Sequence, residues 1–296
     1  MKPLVSVIVA TYRRDEELAN ALVSLAQQDC SSLEIVLVDD NALQEWNEKV
    51  EKIVSDFRNR FPKVPLHYIV NCPNQGSAQT RNIGIEAAEG DYITFLDDDD
   101  VYLTSKVSRQ LLFMELEHLD YSLTDLEIFN NSGKLVDKRA RTYIIDTSQR
   151  ALFEYHLKYH MTGTDTMMFR KDYLVSIGGF PLINVGDEFY LMQRAIERGG
   201  RFGYLPGCDV KAYVHAGEGG LSSGQGKVDG ENILYEHKQK YFAELNPKTV
   251  KYIKARHYAV LAYAYLRMHA WGGFLKNSFR GFFSSPFLFC KILLKR

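Results

Sequence analysis

Four consecutive aspartates, Asp97–Asp100, follow the apolar segment Tyr92-Ile-Thr-Phe-Leu96. Adjacent carboxylates repel one another, and in a partly desolvated site this repulsion costs on the order of a few kcal/mol. A chain tolerates such a run on a solvated loop, or where a cation neutralises it. One aspartate could cap the next helix, but a cap needs only a single side chain. The run therefore indicates a cation site, of the kind in which Mg²⁺ joins carboxylates to phosphate oxygens.

The elements before these aspartates determine where the carboxylates lie. Four apolar runs rich in β-branched residues are typical of buried strands, and they span residues 5–10, 33–38, 66–70 and 92–96. Segments with helical spacing separate them, at residues 15–28, 44–60 and 77–89. The order βαβαβαβ predicts an α/β fold with a mostly parallel, Rossmann-like sheet flanked by helices.

Polar residues follow each of the four predicted strands. They are Thr11-Tyr12, Asp39-Asp40-Asn41, residues 71–76 and the four aspartates. Ligands of open parallel sheets bind outside the carboxyl ends of the strands. We therefore expect the two acidic clusters to converge in one site.

The next hundred residues have a mixed pattern. Residues 121–129 and 134–136 predict a hairpin around the turn Asn130-Asn-Ser-Gly133, and residues 166–169 predict a further strand. Residues 187–198 have helical spacing that ends at Gly199-Gly200. Residues 216–230 are so rich in glycine and serine that we expect a mobile segment.

Composition excludes several classes of function. The chain is 46% hydrophobic and 25% charged, which is ordinary for a soluble protein. Its four scattered cysteines form no CxxC pair, which argues against a zinc site and favours a reducing compartment. No GxGxxG follows the first strand and no GxxxxGK[ST] occurs, which argues against dinucleotide and P-loop enzymes. The sequence has no signal-peptide pattern and no apolar run of 18 residues, so a cytoplasmic protein without a membrane-spanning helix is expected.

Four motifs together resemble a known family. The segments VSVIVATYRR, IVLVDDN, NQGSAQTRNIGIEAAEGDYITFLDDDD and GDEFYLMQR are similar, in order and spacing, to the family-2 inverting glycosyltransferases of GT-A fold. The resemblance covers about residues 3–215. It implies a nucleotide-sugar donor, a DxD-type site for Mn²⁺ or Mg²⁺, and attack by an acceptor hydroxyl on the anomeric carbon with inversion.

The resemblance assigns roles to the four aspartates. Asp97 and Asp99 correspond to the DxD pair, with Asp99 as the metal ligand, and Asp97 or Asp98 faces the ribose of the donor. The residue between the two acids varies in the family, but here it is also aspartate. The DxD pair could therefore be shifted by one residue. His215 corresponds to a histidine that completes the metal site in related enzymes, although a lone histidine is usually structural.

Further residues correspond to the part of the site that holds the nucleotide. Thr11 and Tyr12 lie where family members hold the base, and Asp40 corresponds to the residue that accepts from a uracil-like N–H. A uridine donor, UDP-sugar, follows from the family. Asp40 could instead be a turn residue that bonds the backbone before Asn41. Arg81 corresponds to a residue that reaches the diphosphate, and it could also neutralise the aspartates.

The acid pair Asp187-Glu188 holds the candidate base. Inverting transfer is a single displacement, and it needs a carboxylate that takes the proton of the acceptor. Glu188 corresponds to that residue, although the family usually has aspartate there, which leaves Asp187 as a substitute. Both acids would also favour the start of a helix.

Three rival functions fit the sequence less well. A polyprenyl-phosphate sugar synthase has the same fold, but its acceptor is a lipid phosphate that needs no strong base. A non-catalytic nucleotide-sugar binding protein would keep Asp40 and Asp99 without needing Glu188. A calcium-binding adhesion module would need oxygen ligands scattered over loops and a secretion signal.

The chain divides into four predicted parts. Residues 1–100 form the nucleotide-sugar-binding half of the GT-A domain, and residues 101–215 form its acceptor-binding half. Residues 216–244 form a mobile loop and a connecting helix, and residues 245–296 form a basic, aromatic helical tail. The tail has ten lysines and arginines and no acid, whereas the remainder has 26 basic and 37 acidic residues.

The composition of the tail suggests its partner. Aromatic residues mixed with lysine and arginine suit an interfacial anchor on an anionic membrane. A helical subdomain packed on the core or on a second subunit, as in a homodimer, is the alternative, and no nucleic-acid partner is expected. We therefore predict a peripheral location at the inner face of the cell membrane and an acceptor that is a glycan or is linked to polyprenyl diphosphate.

Overall fold

A computed structural model describes residues 3–130, 132–183, 186–214 and 224–294. The described strands are β1 (Val5–Thr11), β2 (Leu33–Asp39), β3 (Leu66–Val70), β4 (Tyr92–Asp97), β5 (Val101–Tyr102), β6 (Tyr121–Thr124), β7 (Leu126–Asn130), β8 (Leu135–Arg139), β9 (Met167–Arg170), β10 (Phe202–Leu205) and β11 (Val210–Val214). The described helices are α1 (Glu16–Ala26), α2 (Gln44–Arg60), α3 (Ser77–Ala87), α4 (Lys106–Leu116), α5 (Gln149–Tyr159), α6 (Lys171–Ser176), α7 (Asp187–Arg198), α8 (Gly224–Gln239), α9 (Pro247–Arg267), α10 (Trp271–Ser284) and α11 (Pro286–Leu293). The chain clusters into two units, Met1–Gln149 with Met161–His215, and Arg150–His160 with Ala216–Arg296.

A seven-stranded sheet forms the centre of the first unit, in the order β10-β6-β9-β4-β1-β2-β3. β1 pairs in parallel with both β2 and β4, and β2 pairs in parallel with β3, in agreement with the predicted mostly parallel sheet. All seven residues of β2 are buried, which agrees with its continuous apolar run Ile35-Val-Leu-Val38. The polar ends of β1, β2, β3 and β4 therefore lie along one edge of the sheet.

β9 is the antiparallel strand of this sheet, between β4 and β6. Its register places Ile93 opposite Phe169 and Thr94 opposite Met168. A short 3₁₀ turn, Thr164–Thr166, leads into β9. Because the two strands run in opposite directions, the turn before β9 lies beside the end of β4.

A four-stranded sheet, in the order β5-β11-β7-β8, forms the second layer of this unit. The sequence predicts one strand over residues 121–129, but the chain leaves the large sheet after β6 and enters the small one with β7. Asp125 lies at this break. Its carboxylate accepts hydrogen bonds from the Arg141 amide at 2.9 Å, the Tyr204 hydroxyl at 2.7 Å and the Gly207 amide at 3.1 Å. A buried carboxylate needs such donors, and they fix the bend.

The second unit is helical among the residues that the structure describes. α9 is its central helix and contacts α8, α10 and α11. The predicted helix over residues 249–270 corresponds to α9, whereas residues 224–230, expected to be mobile, begin α8. No helix in the described part of the chain is long and apolar enough to cross a bilayer.

Candidate active site

The loop after β3 is held by Asp40, which follows β2 and is buried. Asp40 Oδ1 accepts from the Gln75 amide at 2.7 Å and from Asn71 Nδ2 at 2.9 Å, and Oδ2 accepts from the Gly76 amide at 2.8 Å. These bonds fix the start of α3, the helix that carries Arg81. Asp40 therefore holds the loop after β3 in place. Its contact with the nucleotide base stays a prediction.

The residues after β1 pack against the acidic run. Thr11 is buried, and its carbonyl accepts from the Asp40 amide at 3.0 Å. The Tyr12 amide donates to Asp98 Oδ2 at 3.0 Å, and the Tyr12 ring is half exposed. Burial, together with Asp99, raises the pKa of Asp98 to about 7. The structure thus brings Thr11, Tyr12 and Asp98 together at the strand ends.

Asp99 forms an ion pair with Arg14, whose Nη2 lies 2.6 Å from Asp99 Oδ2. The same guanidinium lies 3.8 Å from Asp98. Asp99 also lines a cavity of about 560 Å³, together with Tyr102 and Tyr213. The sequence analysis did not select Arg14. The signal that could have found it is the position of Arg13 and Arg14 after β1, because β1 is the neighbour of β4, which leads into the aspartates.

A cluster of three carboxylates lies beneath the acidic turn. Asp97, Asp100 and Asp165 each offer an oxygen, and these oxygens lie within 4.8 Å of one another. The Asp97 amide donates to Asp165 Oδ1 at 2.7 Å, and the Tyr213 amide donates to Asp100 Oδ1 at 2.8 Å. Burial and the repulsion between neighbouring carboxylates raise the pKa of both Asp100 and Asp165 well above the usual range.

The sequence analysis missed Asp165. The pairing of β4 with β9 could have revealed it. Thr94 is opposite Met168, Asp97 lies three residues after Thr94, and Asp165 lies three residues before Met168. In an antiparallel pair these two positions face each other. A motif search along the chain cannot see this relationship, because 68 residues separate the two aspartates.

Arg81 joins this cluster to the acid pair of α7. Its Nη2 lies 2.7 Å from Asp97 Oδ1, and its Nη1 lies 3.3 Å from Asp187 Oδ2. Burial alone would lower the pKa of Arg81, but Asp97, Asp187 and Glu188 raise it above its usual value. The guanidinium also lies over the Phe180 ring, at 5.4 Å. Arg81 is therefore a fixed cation between two sets of carboxylates.

Glu188 is the second residue of α7 and is held by the segment before β9. Its Oε1 accepts from the Thr164 hydroxyl at 2.6 Å, and its Oε2 accepts from the Gly163 amide at 2.8 Å. Burial is the largest cause that raises the pKa of Glu188, Asp97 adds to the rise, and Arg81 opposes it. A carboxylate with a raised pKa is a stronger proton acceptor than an ordinary one.

The donor set fits a divalent cation. Hard cations such as Mg²⁺ and Mn²⁺ take carboxylate oxygens, and Asp97, Asp100 and Asp165 converge within ligand range of one another. Asp99, the predicted ligand, is paired with Arg14 instead. His215 lies outside the described residues. The assignment of Asp99, Asp97 and His215 as metal ligands stays a prediction.

Solved structures share this fold. TarS of S. aureus, residues 1–349, in complex with UDP-GlcNAc superposes with a TM-score of 0.61 at 18% identity, covering 95% of this chain and 91% of that one. The mannosyltransferase PcManGT of Pyrobaculum calidifontis, in complex with GDP-Man and Mn²⁺, gives a TM-score of 0.61 at 19% identity, covering 95% and 74%. The predicted GT-A architecture with C-terminal helices is confirmed.

Relatives in sequence are also glycosyltransferases. An uncharacterised glycosyltransferase of Haemophilus influenzae is 37% identical over 139 residues, which is 45% of this chain and 52% of the relative. The match thus spans about half of that relative's length. The UDP-Glc:alpha-D-GlcNAc-diphosphoundecaprenol beta-1,3-glucosyltransferase WfaP of Escherichia coli is 25% identical over 78% of this chain and 85% of its own.

The family model for glycosyl transferase family 2 matches residues 6–177, more than half of the 296 residues. This match includes β1–β4, the acidic turn, Arg81 and the β9 strand. The chain belongs to glycosyl transferase family 2.

Proposed function

We propose that this protein is a metal-dependent inverting glycosyltransferase that moves a sugar from a UDP-sugar to an acceptor hydroxyl. The observation that carries the proposal is the position of Arg81, which contacts Asp97 on one side and Asp187 on the other. This contact joins the carboxylates that suit a cation to the acid pair that suits a base. Transfer from a nucleoside-diphosphate sugar needs a cation at the diphosphate and a base near the anomeric carbon. The carboxylate cluster and the acid pair must therefore lie next to each other.

The residues of the site have distinct roles in the proposed reaction. Arg81 binds the diphosphate, and the strand ends at Thr11, Tyr12 and Asp40 hold the nucleoside. Asp97, Asp98 and Asp99, with Asp100 and Asp165, hold the ribose and a divalent cation. When bound, that cation supplies charge neutralisation for the departing diphosphate.

Glu188 is the proposed base. The acceptor hydroxyl oxygen forms a bond to the anomeric carbon as the bond from that carbon to the diphosphate breaks. The hydroxyl proton passes to the Glu188 carboxylate, and the diphosphate leaves with the electron pair. Attack opposite the leaving group inverts the anomeric centre. Asp187 instead holds Arg81 at the diphosphate.

The names of similar proteins support the finer assignments. WfaP uses UDP-Glc and an acceptor on diphosphoundecaprenol, and TarS is seen with UDP-GlcNAc. The Mn²⁺ in the PcManGT complex supports a divalent metal. A polyprenyl-diphosphate-linked acceptor would lie at a membrane, where the basic, aromatic tail could hold the protein on the anionic inner face.

Thermal shift measurements test the donor and the metal together. The melting temperature should rise with UDP and UDP-sugars in the presence of Mn²⁺, and much less with EDTA or with GDP-mannose. Product analysis with a polyprenyl-diphosphate-linked sugar should then show the opposite anomer from that of the donor. A shift with GDP-mannose alone, or full transfer in excess EDTA, would contradict the proposal.

A further inference from the structure

A groove of about 860 Å³ lies in the helical unit, between α8, α9 and α10. α9 forms its floor, since this central helix contacts both of the others. Lys251, Lys254 and Tyr258 line the groove from one face of α9, at helical spacings of three and four residues. This volume lies in the range of pockets that hold small ligands.

The walls of the groove combine aromatic rings with cations. α10 contributes Phe279, Arg280 and Phe283, and α8 contributes Tyr235. Among the residues that the structure describes, the lining thus holds three cationic side chains and no acidic one. The chain has no acidic residue after Glu244. The groove is therefore suited to an anion that also carries apolar groups.

An exposed apolar strip runs along α10 beside the groove. Trp271, Leu275, Phe279 and Phe283 repeat every four residues and are between 58% and 70% exposed. Phe282 and, on α11, Phe287 are also exposed. Single exposed apolar residues are ordinary, but a continuous strip marks a binding surface. Two of these residues, Phe279 and Phe283, also line the groove, so the strip and the cations form one surface.

We propose that the groove binds the phosphate headgroup of an anionic phospholipid while the strip of α10 enters the bilayer beside it. The charge and the strip together decide between occupants, since the cations need an anion, the aromatic strip needs an apolar phase, and an anionic bilayer supplies both. Lys251, Lys254 and Arg280 would pair with the phosphate, and the aromatic side chains would lie at headgroup depth. This inference rests on the membrane contact proposed above and adds a specific headgroup site to it.

Two triple variants separate a headgroup site from general attraction. The groove variant is K251Q/K254Q/R280Q, and the matched control K248Q/R267Q/K291Q removes three exposed cations that do not line the groove. Flotation would use phosphatidylcholine vesicles with and without phosphatidylglycerol. The groove variant should lose affinity for the anionic vesicles by at least about tenfold, and the control by much less.

The outcomes are distinct. Equal losses in both variants, or no loss in either, would overturn the groove site. Binding of inorganic phosphate by the groove without flotation on anionic vesicles would assign the groove to free phosphate, and binding to single-stranded RNA instead of vesicles would assign it to nucleic acid. Either result would overturn the proposal.

Controls keep this test independent of the catalytic proposal. Both variants should keep the wild-type melting temperature and the wild-type response to UDP with Mn²⁺. If wild type floats with anionic vesicles, the groove variant does not, and wild type does not respond to UDP, the donor assignment fails and the groove site stands. If it responds to UDP but does not float, the groove site fails alone.

Discussion

Arg14 Nη2 lies 2.6 Å from Asp99 Oδ2, so the carboxylate that the family resemblance assigns to the metal is paired with an internal cation. A guanidinium and a divalent metal ion cannot both neutralise the same oxygen. Because Arg14 also lies 3.8 Å from Asp98 Oδ1, it acts on two of the four aspartates. Arg14 therefore competes with a bound metal ion for the negative charge of Asp99.

Removal of Arg14 should tighten metal binding. The R14Q variant frees Asp99 from its charge-assisted partner, and the dissociation constant for Mn²⁺ should fall by about tenfold. Calorimetric titration with Mn²⁺ measures this change, with R13Q as the neighbouring control. In a D99N background R14Q should have a much smaller effect, because only the contact of Arg14 with Asp98 remains. An unchanged constant in R14Q would remove Asp99 from the metal site.

Substitution of Asp165 should change stability and metal affinity in opposite directions. In D165N the amide oxygen can still accept from the Asp97 amide, and the new NH₂ can donate to Asp100. The apo protein should melt at a higher temperature, because repulsion within the buried cluster is relieved. Affinity for Mn²⁺ should fall by at least about tenfold, because one anionic ligand is lost.

The Mn²⁺ titration of D165N decides the role of this residue. The control variant D146N removes an exposed carboxylate, and it should change neither the melting temperature nor the affinity for Mn²⁺. A stabilised D165N protein with wild-type affinity for Mn²⁺ would make Asp165 a residue that only shapes the acidic turn.

The base is tested by a matched pair of isosteric variants. In E188Q the amide oxygen can accept from the Gly163 amide and the NH₂ can donate to the Thr164 hydroxyl, so the local structure should persist. The variant cannot accept a proton, so kcat should fall roughly 10²–10⁴-fold while the Kd for the donor stays constant. D187N should instead weaken donor binding, because Asp187 holds Arg81. If E188Q lowers kcat only slightly and D187N lowers it severely, Asp187 is the base and Glu188 the residue that holds its neighbours.

Acid should destabilise the helical unit through Glu231. This buried carboxylate lies 3.0 Å from Arg256. Burial alone would raise the pKa of Glu231, but Arg256, His257 and Lys238 lower it to about 2. The stabilisation is therefore fully present above the ordinary carboxyl pKa of about 4.5 and is lost as the pH falls toward 2.

Urea unfolding of E231Q checks this linkage. At pH 7 the variant should be less stable than wild type by about 3–5 kcal/mol, because Arg256 loses its buried partner. The difference should shrink as the pH falls below about 4.5. E236Q, on the exposed side of the same helix, should match wild type at both pH values. A difference that grows in acid would contradict the assignment.

The predictable parts of this fold are those determined by local sequence. The apolar runs of β1, β2 and β4 lie within single segments, and their alternation with helices predicts the parallel pairing. The break at Asp125 was not predictable, because its donors come from Arg141, Tyr204 and Gly207, far along the chain. Glycine and serine suggested mobility where α8 begins, but tertiary packing of Val228 and Leu234 outweighs that composition.

Because β4 pairs with β9, the acidic cluster depends on the number of residues between Asp165 and Met168. Side chains alternate between the two faces of a strand, so one residue inserted or deleted between Asp165 and Met168 would turn Asp165 away from Asp97. The four-aspartate run would remain intact in such a protein. An evolutionary comparison that scores only that run would therefore group together enzymes with three convergent carboxylates and enzymes with two. The number of residues between Asp165 and β9 is the character that distinguishes them.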